Sequence, residues 1–249
     1  MTWAPQLEAV GRIASSEERI AQYTRLLEHA LHDTPSTSLP SLVRTYVDGA
    51  VLDPVNTTGA GLLVGRHMLA HLATQLAAAH IPANILCAIV SDTLATCEAS
   101  SIMGDDELGP WRVLLAEQYA SLSRWRDAAQ ALQSITPHAA RRIPQLSFAQ
   151  LCVRVVELWL HDLPSHVAEA EQAIKRANSA ILEERDNKAL VHELWSYHAR
   201  VLAIQHRFME AAARYMDLPH ADMYAAVYAI ISPPSAQRTS MLTRLCLLY

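Results

Sequence analysis

The sequence predicts an all-α protein, an α-solenoid of paired helices, and three observations carry that reading. Alanine and leucine abound in the 249 residues while glycine numbers only 7 and aromatic residues make up 6%. Alanine and leucine lose the least on entering a helix, so this composition favours helices over strands. Apolar residues recur at three and four positions, not at two, which is the helical period. Finally, one short motif returns three times at nearly constant spacing.

That motif appears when Trp125-Arg-Asp127-Ala128-Ala-Gln-Ala-Leu132 is set over Val167-Ala-Glu169-Ala170-Glu-Gln-Ala-Ile174 and Phe208-Met-Glu210-Ala211-Ala-Ala-Arg-Tyr215. Each unit has a large apolar residue, an acid two positions on, then an alanine, then a large apolar residue four beyond. The acids Asp127, Glu169 and Glu210 lie 42 and then 41 residues apart, a period typical of paired-helix solenoids. The physics of the unit is close packing. Alanine at Ala128, Ala170 and Ala211 lets a neighbouring helix approach, while the flanking residues Trp125, Leu132, Val167, Ile174, Phe208 and Tyr215 fill the grooves on either side. The acid sits in the first turn, where the helix dipole favours it.

Along the chain, the first helical pattern runs through Ile13, Ile20, Tyr23, Leu26, Leu27, Ala30 and Leu31. Ser15 and Glu18 have the capping-box spacing, so a helix is expected to restart there. Breaks are expected at Asp33–Pro40, Asp53-Pro54, Pro82, Met103–Pro110, Thr136-Pro137, Arg142–Pro144, Leu163-Pro164, Pro219 and Pro233-Pro234. Roughly eleven or twelve helices of about 12 to 22 residues result. No alternating β-branched run, hairpin dipeptide or βαβ rhythm is present.

Composition also excludes partners. Net charge is −5, so no global positive field exists to hold a nucleic acid backbone. The pairs Arg124/Arg126 and Arg141/Arg142 read as solvated helix ends. His67 to Val90 lacks Asp, Glu, Lys and Arg, but its His, Gln, Pro and Asn residues are costly in hydrocarbon, so two buried helices meeting at Pro82 are expected and no membrane partner. The widely spaced Cys87, Cys97, Cys152 and Cys246 form no C-x-x-C pair, which fits a reduced intracellular compartment. The sequon Asn56-Thr57-Thr58 is then expected to stay unmodified.

Candidate chemistry is sparse. His67 and His71 share a helix face at i, i+4, but Met68 stands where a metalloprotease has glutamate, and no third ligand is evident. No nucleotide-cradling or nucleophile-elbow motif occurs. Cys152 lies among Leu151, Val153, Val155 and Val156, which reads as core packing. Glu157, Glu183 and Glu184 read as solvated face residues. No catalytic, cofactor or metal residue is assigned, and no enzyme activity or cofactor is expected. Trp3, Trp111, Trp159 and Trp195 would be interface anchors only if exposed.

At the third repeat, "YHARVLAIQHRFMEAAARYMDL" resembles the family of COP nine signalosome subunit four where it enters its PCI domain, through Tyr197, Ala199, Arg200, Val201, Leu202, Arg207, Phe208, Glu210, Ala211, Ala212, Arg214, Tyr215 and Leu218. "RWRDAAQAL" resembles the family's D-W-R-N-A-A-Q-x-L, and "AQRTSMLTRL" its Q-R-S-R-M-L-A-T-L, through Gln237, Arg238, Met241, Leu242 and Leu245. The resemblance covers about Val113 to Leu245. Departures are Ser240 for an arginine, Arg124 for an acid, and Cys246 to Tyr249 for a charged run. The winged-helix part of the PCI domain and the long terminal helices of the family are expected to be absent.

The resemblance implies a right-handed TPR/HEAT-like solenoid leading into the helical part of a PCI domain, with helical repeats over 1–110 and TPR-like repeats with the start of the PCI helices over 111–249. It implies a non-catalytic scaffold that supports cullin deneddylation in cytoplasm and nucleus by binding other signalosome subunits and cullin-RING ubiquitin ligase components. Alternatives are a proteasome-lid subunit of the subunit-five type, a generic helical-repeat interaction module, or a helical enzyme around His67 and His71. Association through residues 220–249 is also expected.

Overall fold

The computed structural model describes residues 3–143, 146–184 and 186–247, and among them every regular element is helical. The contacts divide the chain into two compact units, 1–145 and 146–249. Residues 110 and 111 both lie within one helix, Asp105–Ser121.

In the first unit, α1 (Ala4–Gly11) and α2 (Ser16–Asp33) replace the single interrupted helix that the apolar pattern suggests. Ser15 caps α2, accepting from the Glu18 N–H at 3.4 Å, and Ile13 falls in the turn between them. Helix α3 (Leu39–Tyr46) begins with Pro40 in its first turn, where the missing N–H costs nothing. It runs directly into a π-helical stretch, Val47–Val51. After α4 (Pro54–Thr57) come α5 (Leu62–Ala78), α6 (Ala83–Ser100), α7 (Asp105–Ser121), α8 (Trp125–Gln133) and α9 (Pro137–Ala140).

Among the described residues fifteen α-helices exceed the eleven or twelve expected, because Asp53-Pro54 and Thr136-Pro137 each start a four-residue helix and α1 is separate from α2. In both, the residue before proline caps the first turn. A second correction concerns Met103–Pro110, where the break ends at Gly104 and Pro110 lies within the second turn of α7. Proline there forfeits one backbone bond, but the acids Asp105, Asp106 and Glu107 in the first turn suit the helix dipole. Glu107 accepts from the Gly104 N–H at 3.0 Å and pairs with Arg66 at 3.1 Å. Arg112 holds Asp105 and Glu98, both at 3.1 Å.

A buried polar group fastens α2 to the π-helical stretch. Arg19 is 5% exposed and donates to Asn56 Oδ1 at 3.0 Å. Asn56, fully buried, donates to the Ala50 carbonyl at 3.0 Å and the Tyr23 hydroxyl at 3.3 Å. The amide nitrogen of the sequon is therefore committed to the core, and a glycan could not be attached without opening it.

The second unit holds α10 (Phe148–Leu160), α11 (Val167–Ile181), α12 (Lys188–Ile204), α13 (Phe208–Met216), α14 (Asp222–Ile231) and α15 (Ala236–Cys246). Helix α10 opens with a capping box in which Ser147 and Gln150 satisfy each other's backbone N–H groups. Each helix packs on its successor along the chain, and α10 also packs on α12. Pro144 of the expected 142–144 break, and Leu248 and Tyr249 of the tail, lie outside the described residues.

Candidate interaction site

The repeat units coincide with helix starts. Trp125, Val167 and Phe208 are the first residues of α8, α11 and α13. Ala128, Ala170 and Ala211 each have 0% exposure, and the closing residues Leu132, Ile174 and Tyr215 are buried with them. Trp125, Val167 and Phe208 are half-buried, since they sit at the rim where each helix begins. The acids occupy the third helical position in all three.

Two of the units share a turn that sequence reasoning did not anticipate. At the end of α7, the Arg124 N–H bonds the Tyr119 carbonyl at 2.8 Å and the Ser123 N–H bonds the Ala120 carbonyl at 3.0 Å. At the end of α12, Arg207 bonds Leu202 at 2.9 Å and His206 bonds Ala203 at 3.1 Å. Both are Schellman closures, and both place a non-glycine residue in the left-handed region, Ser123 at φ 58° and His206 at φ 59°. The arginine side chain then reaches the first-turn acid of the next helix, Arg124 donating to Asp127 at 2.7 Å and Arg207 Nε to Glu210 at 2.8 Å. The signal was present as "RWRDAA" and "RFMEAA", an arginine three residues before an acid. The α10–α11 connection has no such arginine, and His166 precedes α11 instead.

These exposed pairs set local electrostatics. The Arg207 guanidinium holds the Glu210 carboxyl below its ordinary value. Nearby, burial and then the charges of Arg214 and Arg207 depress the His198 imidazole. Arg124 also lies over the Tyr119 ring, 4.4 Å from its centroid.

At the end of the second unit the rings of Phe208, Tyr215, Tyr224 and Tyr228 stack. Tyr215 and Tyr228 are 5.5 Å apart and nearly parallel at 2°, and Tyr215 and Tyr224 are 5.4 Å apart. Ala225 and Ala229 of α14 are both fully buried, and α14 packs on α13 and α15. The outer face of α14 is left bare.

The groups weighed for chemistry are not assembled into a catalytic site. Cys152 is 4% exposed, and burial pushes its thiol up to about 11, the wrong direction for a nucleophile. His67 is exposed and His71 half-buried on α5, and among the described residues no three His, Cys, Asp or Glu side chains are placed to hold a metal ion. Glu184 accepts from the Ser147 hydroxyl at 3.0 Å, and Glu157 pairs with Arg154. All four cysteines are free. Trp111 and Trp159 are core residues at 0% and 2% exposure, and Trp3 and Trp195 are half-buried, so no tryptophan is an exposed anchor. Among the described residues no helix is long and apolar enough to cross a membrane.

The described residues form a helical-repeat protein with a bare apolar face on α14. No protein-family model matches the chain. It is similar to the COP9 signalosome complex subunit 4 of Caenorhabditis elegans, 28% identical over 260 aligned residues, covering 94% of this chain and 63% of that protein. The subunit 4 proteins of Drosophila melanogaster and Arabidopsis thaliana match at 24% over 246 residues and 26% over 204 residues. They cover 92% and 82% of this chain, and 56% and 48% of those proteins. The chain thus spans about half the length of the curated relatives it matches.

Proposed function

We propose that this chain is a non-catalytic scaffold subunit of a signalosome-type complex. It binds other subunits of that complex and components of a cullin-RING ubiquitin ligase, and so supports removal of a ubiquitin-like modifier from the cullin. In this reading residues 1–110 are helical repeats, residues 111–249 are TPR-like repeats entering the helical part of a PCI domain, and the protein works in cytoplasm and nucleus.

The observation that carries the reading is the similarity to three signalosome subunit 4 proteins along most of the chain. The physical character of the molecule supports it. Paired helices in register present broad surfaces well suited to binding, whereas the buried Cys152 thiol is shifted up, away from the reactive thiolate. The repeat residues Trp125, Ala128, Leu132, Val167, Ala170, Ile174, Phe208, Ala211 and Tyr215 act structurally, by setting how closely successive helices pack.

The test is affinity capture of the tagged chain from a lysate of its source organism, with mass spectrometry of what is retained. Signalosome subunits and cullins are the expected set. Recovery of proteasome-lid subunits in their place would overturn the assignment.

A further inference from the structure

The chain has two lysines, Lys175 and Lys188, against 18 arginines, and both lie in the second unit, so that residues 1–145 hold none. Neither charge nor helix formation calls for this. The chain keeps 20 basic positions, lysine is among the commonest residues of soluble proteins, and it enters helices about as readily as arginine. Hydrogen-bond geometry explains an arginine only where its planar fork is used. Arg112 reaches Asp105 and Glu98 together, and Arg207 reaches Glu210 and Glu171. At Arg25, Arg126, Arg141 and Arg244 that reason is missing. All four are exposed, and among the described residues none of their side chains meets a hydrogen-bond acceptor, a carboxylate or an aromatic ring. A lysine would serve the fold equally well at each.

What separates the two cations at such positions is the reactivity of nitrogen. The lysine amine can give up a proton and attack a carbonyl, whereas the guanidinium stays protonated and offers no lone pair. Lysine is therefore the side chain to which ubiquitin is joined. Resting on the scaffold reading above, we propose that the scarcity of lysine keeps this chain from being ubiquitinated by the ligase it binds, and that Lys175 and Lys188 are its only acceptor sites. In the reaction avoided, a lysine amine attacks the thioester that joins ubiquitin to its conjugating enzyme. The amide bond forms as the carbon–sulfur bond breaks, the enzyme's thiolate leaves, and the proton of the amine passes to water. A scaffold held on the ligase stays near that thioester at high effective concentration, so each exposed lysine it carried would become a substrate. Both lysines present are exposed. Lys188 opens α12 within the exposed run 186–189, and Lys175 lies midway along α11.

The experiment incubates the purified chain with a cullin-RING ligase, the activating and conjugating enzymes, ubiquitin and ATP. It reads retention of the chain on the ligase and, by mass spectrometry, the ubiquitin conjugates on the chain. The unmodified chain should be retained and carry few conjugates, all on Lys175 or Lys188. A variant with Arg25→Lys, Arg126→Lys, Arg141→Lys and Arg244→Lys keeps the charge and loses no bond, so its circular dichroism and retention should be unchanged. Its lysines rise from two to six, and its conjugates should rise about three-fold. Lys175→Arg combined with Lys188→Arg should carry none. Equal conjugation of the unmodified chain and the variant with added lysines, or conjugates that survive without Lys175 and Lys188, would overturn the inference while retention leaves the scaffold reading standing. A chain that the ligase does not retain would overturn the scaffold reading and this inference with it.

Discussion

Helices α10 and α14 are both built mostly from apolar residues, yet α10 buries nine of its 13 residues and α14 two of its 10. The difference lies in what surrounds them. Helix α10 packs against both α11 and α12. Helix α14 meets α13 through the stacked rings of Tyr224 and Tyr228 and packs on α15, and among the described residues its Met223, Val227, Ile230 and Ile231 stay exposed. An apolar helix shows that a face calls for cover. The neighbouring helices decide whether the chain supplies it.

The largest effect that sharpens this contrast comes from removing a large side chain at each place. Trp159 on α10 is 2% exposed, and Trp159→Ala should destabilise the chain by about 3–5 kcal/mol in urea denaturation. Ile230→Ala on α14 should stay within about 0.5 kcal/mol. If both cost the same, the bare face of α14 is covered in solution.

Overpacking comes next. Ala211 has 0% exposure, so Ala211→Leu should cost about 1–3 kcal/mol by forcing α13 away from its neighbours. Ala128→Leu in α8 should behave alike, and a melting curve unchanged by either would break the account of the repeat. A smaller change of opposite sign is expected at the Schellman turns. Ser123→Gly relieves a left-handed residue of its Cβ and should raise stability by about 1 kcal/mol. His206→Gly should gain less, because His206 packs edge-on against Phe208 at 5.5 Å.

The smallest effect is electrostatic. Arg207 lowers the Glu210 carboxyl, so its contribution is present above the ordinary carboxylate range and fades as pH falls through the depressed value. Glu210→Gln should therefore reduce stability slightly at pH 7, and the gap between variant and parent should narrow in melting curves as pH falls through and below the ordinary carboxylate range. A gap that persists in acid would mean that the pair acts through packing.

Much of this fold was legible because helical period and capping residues act locally. Ser15, Pro82 and the three repeat starts fall where pattern alone puts them. Pro110 was misread because a proline breaks a helix only when the lost bond goes uncompensated, and the acids of the first turn with their arginine partners support α7 around it. The π-helical stretch and the Arg19–Asn56 fastening depend on residues 37 apart in sequence meeting in space, which no local pattern reports. The arginine–acid pairs at Arg124 and Arg207 were readable in outline, but reading Arg124 as a solvated helix end hid that it pairs with Asp127 of the helix it starts. The bare face of α14 was half legible, since its apolar content is plain in sequence while its lack of cover is a property of neighbouring helices.

The central claim is that this chain contributes binding and no bond cleavage. Its most direct measurement immobilises a cullin-RING ligase carrying the ubiquitin-like modifier, adds the purified chain alone, and follows both retention of the chain and release of the modifier. The account predicts retention with the modifier still attached. Release by the chain alone, or failure to be retained, would contradict it.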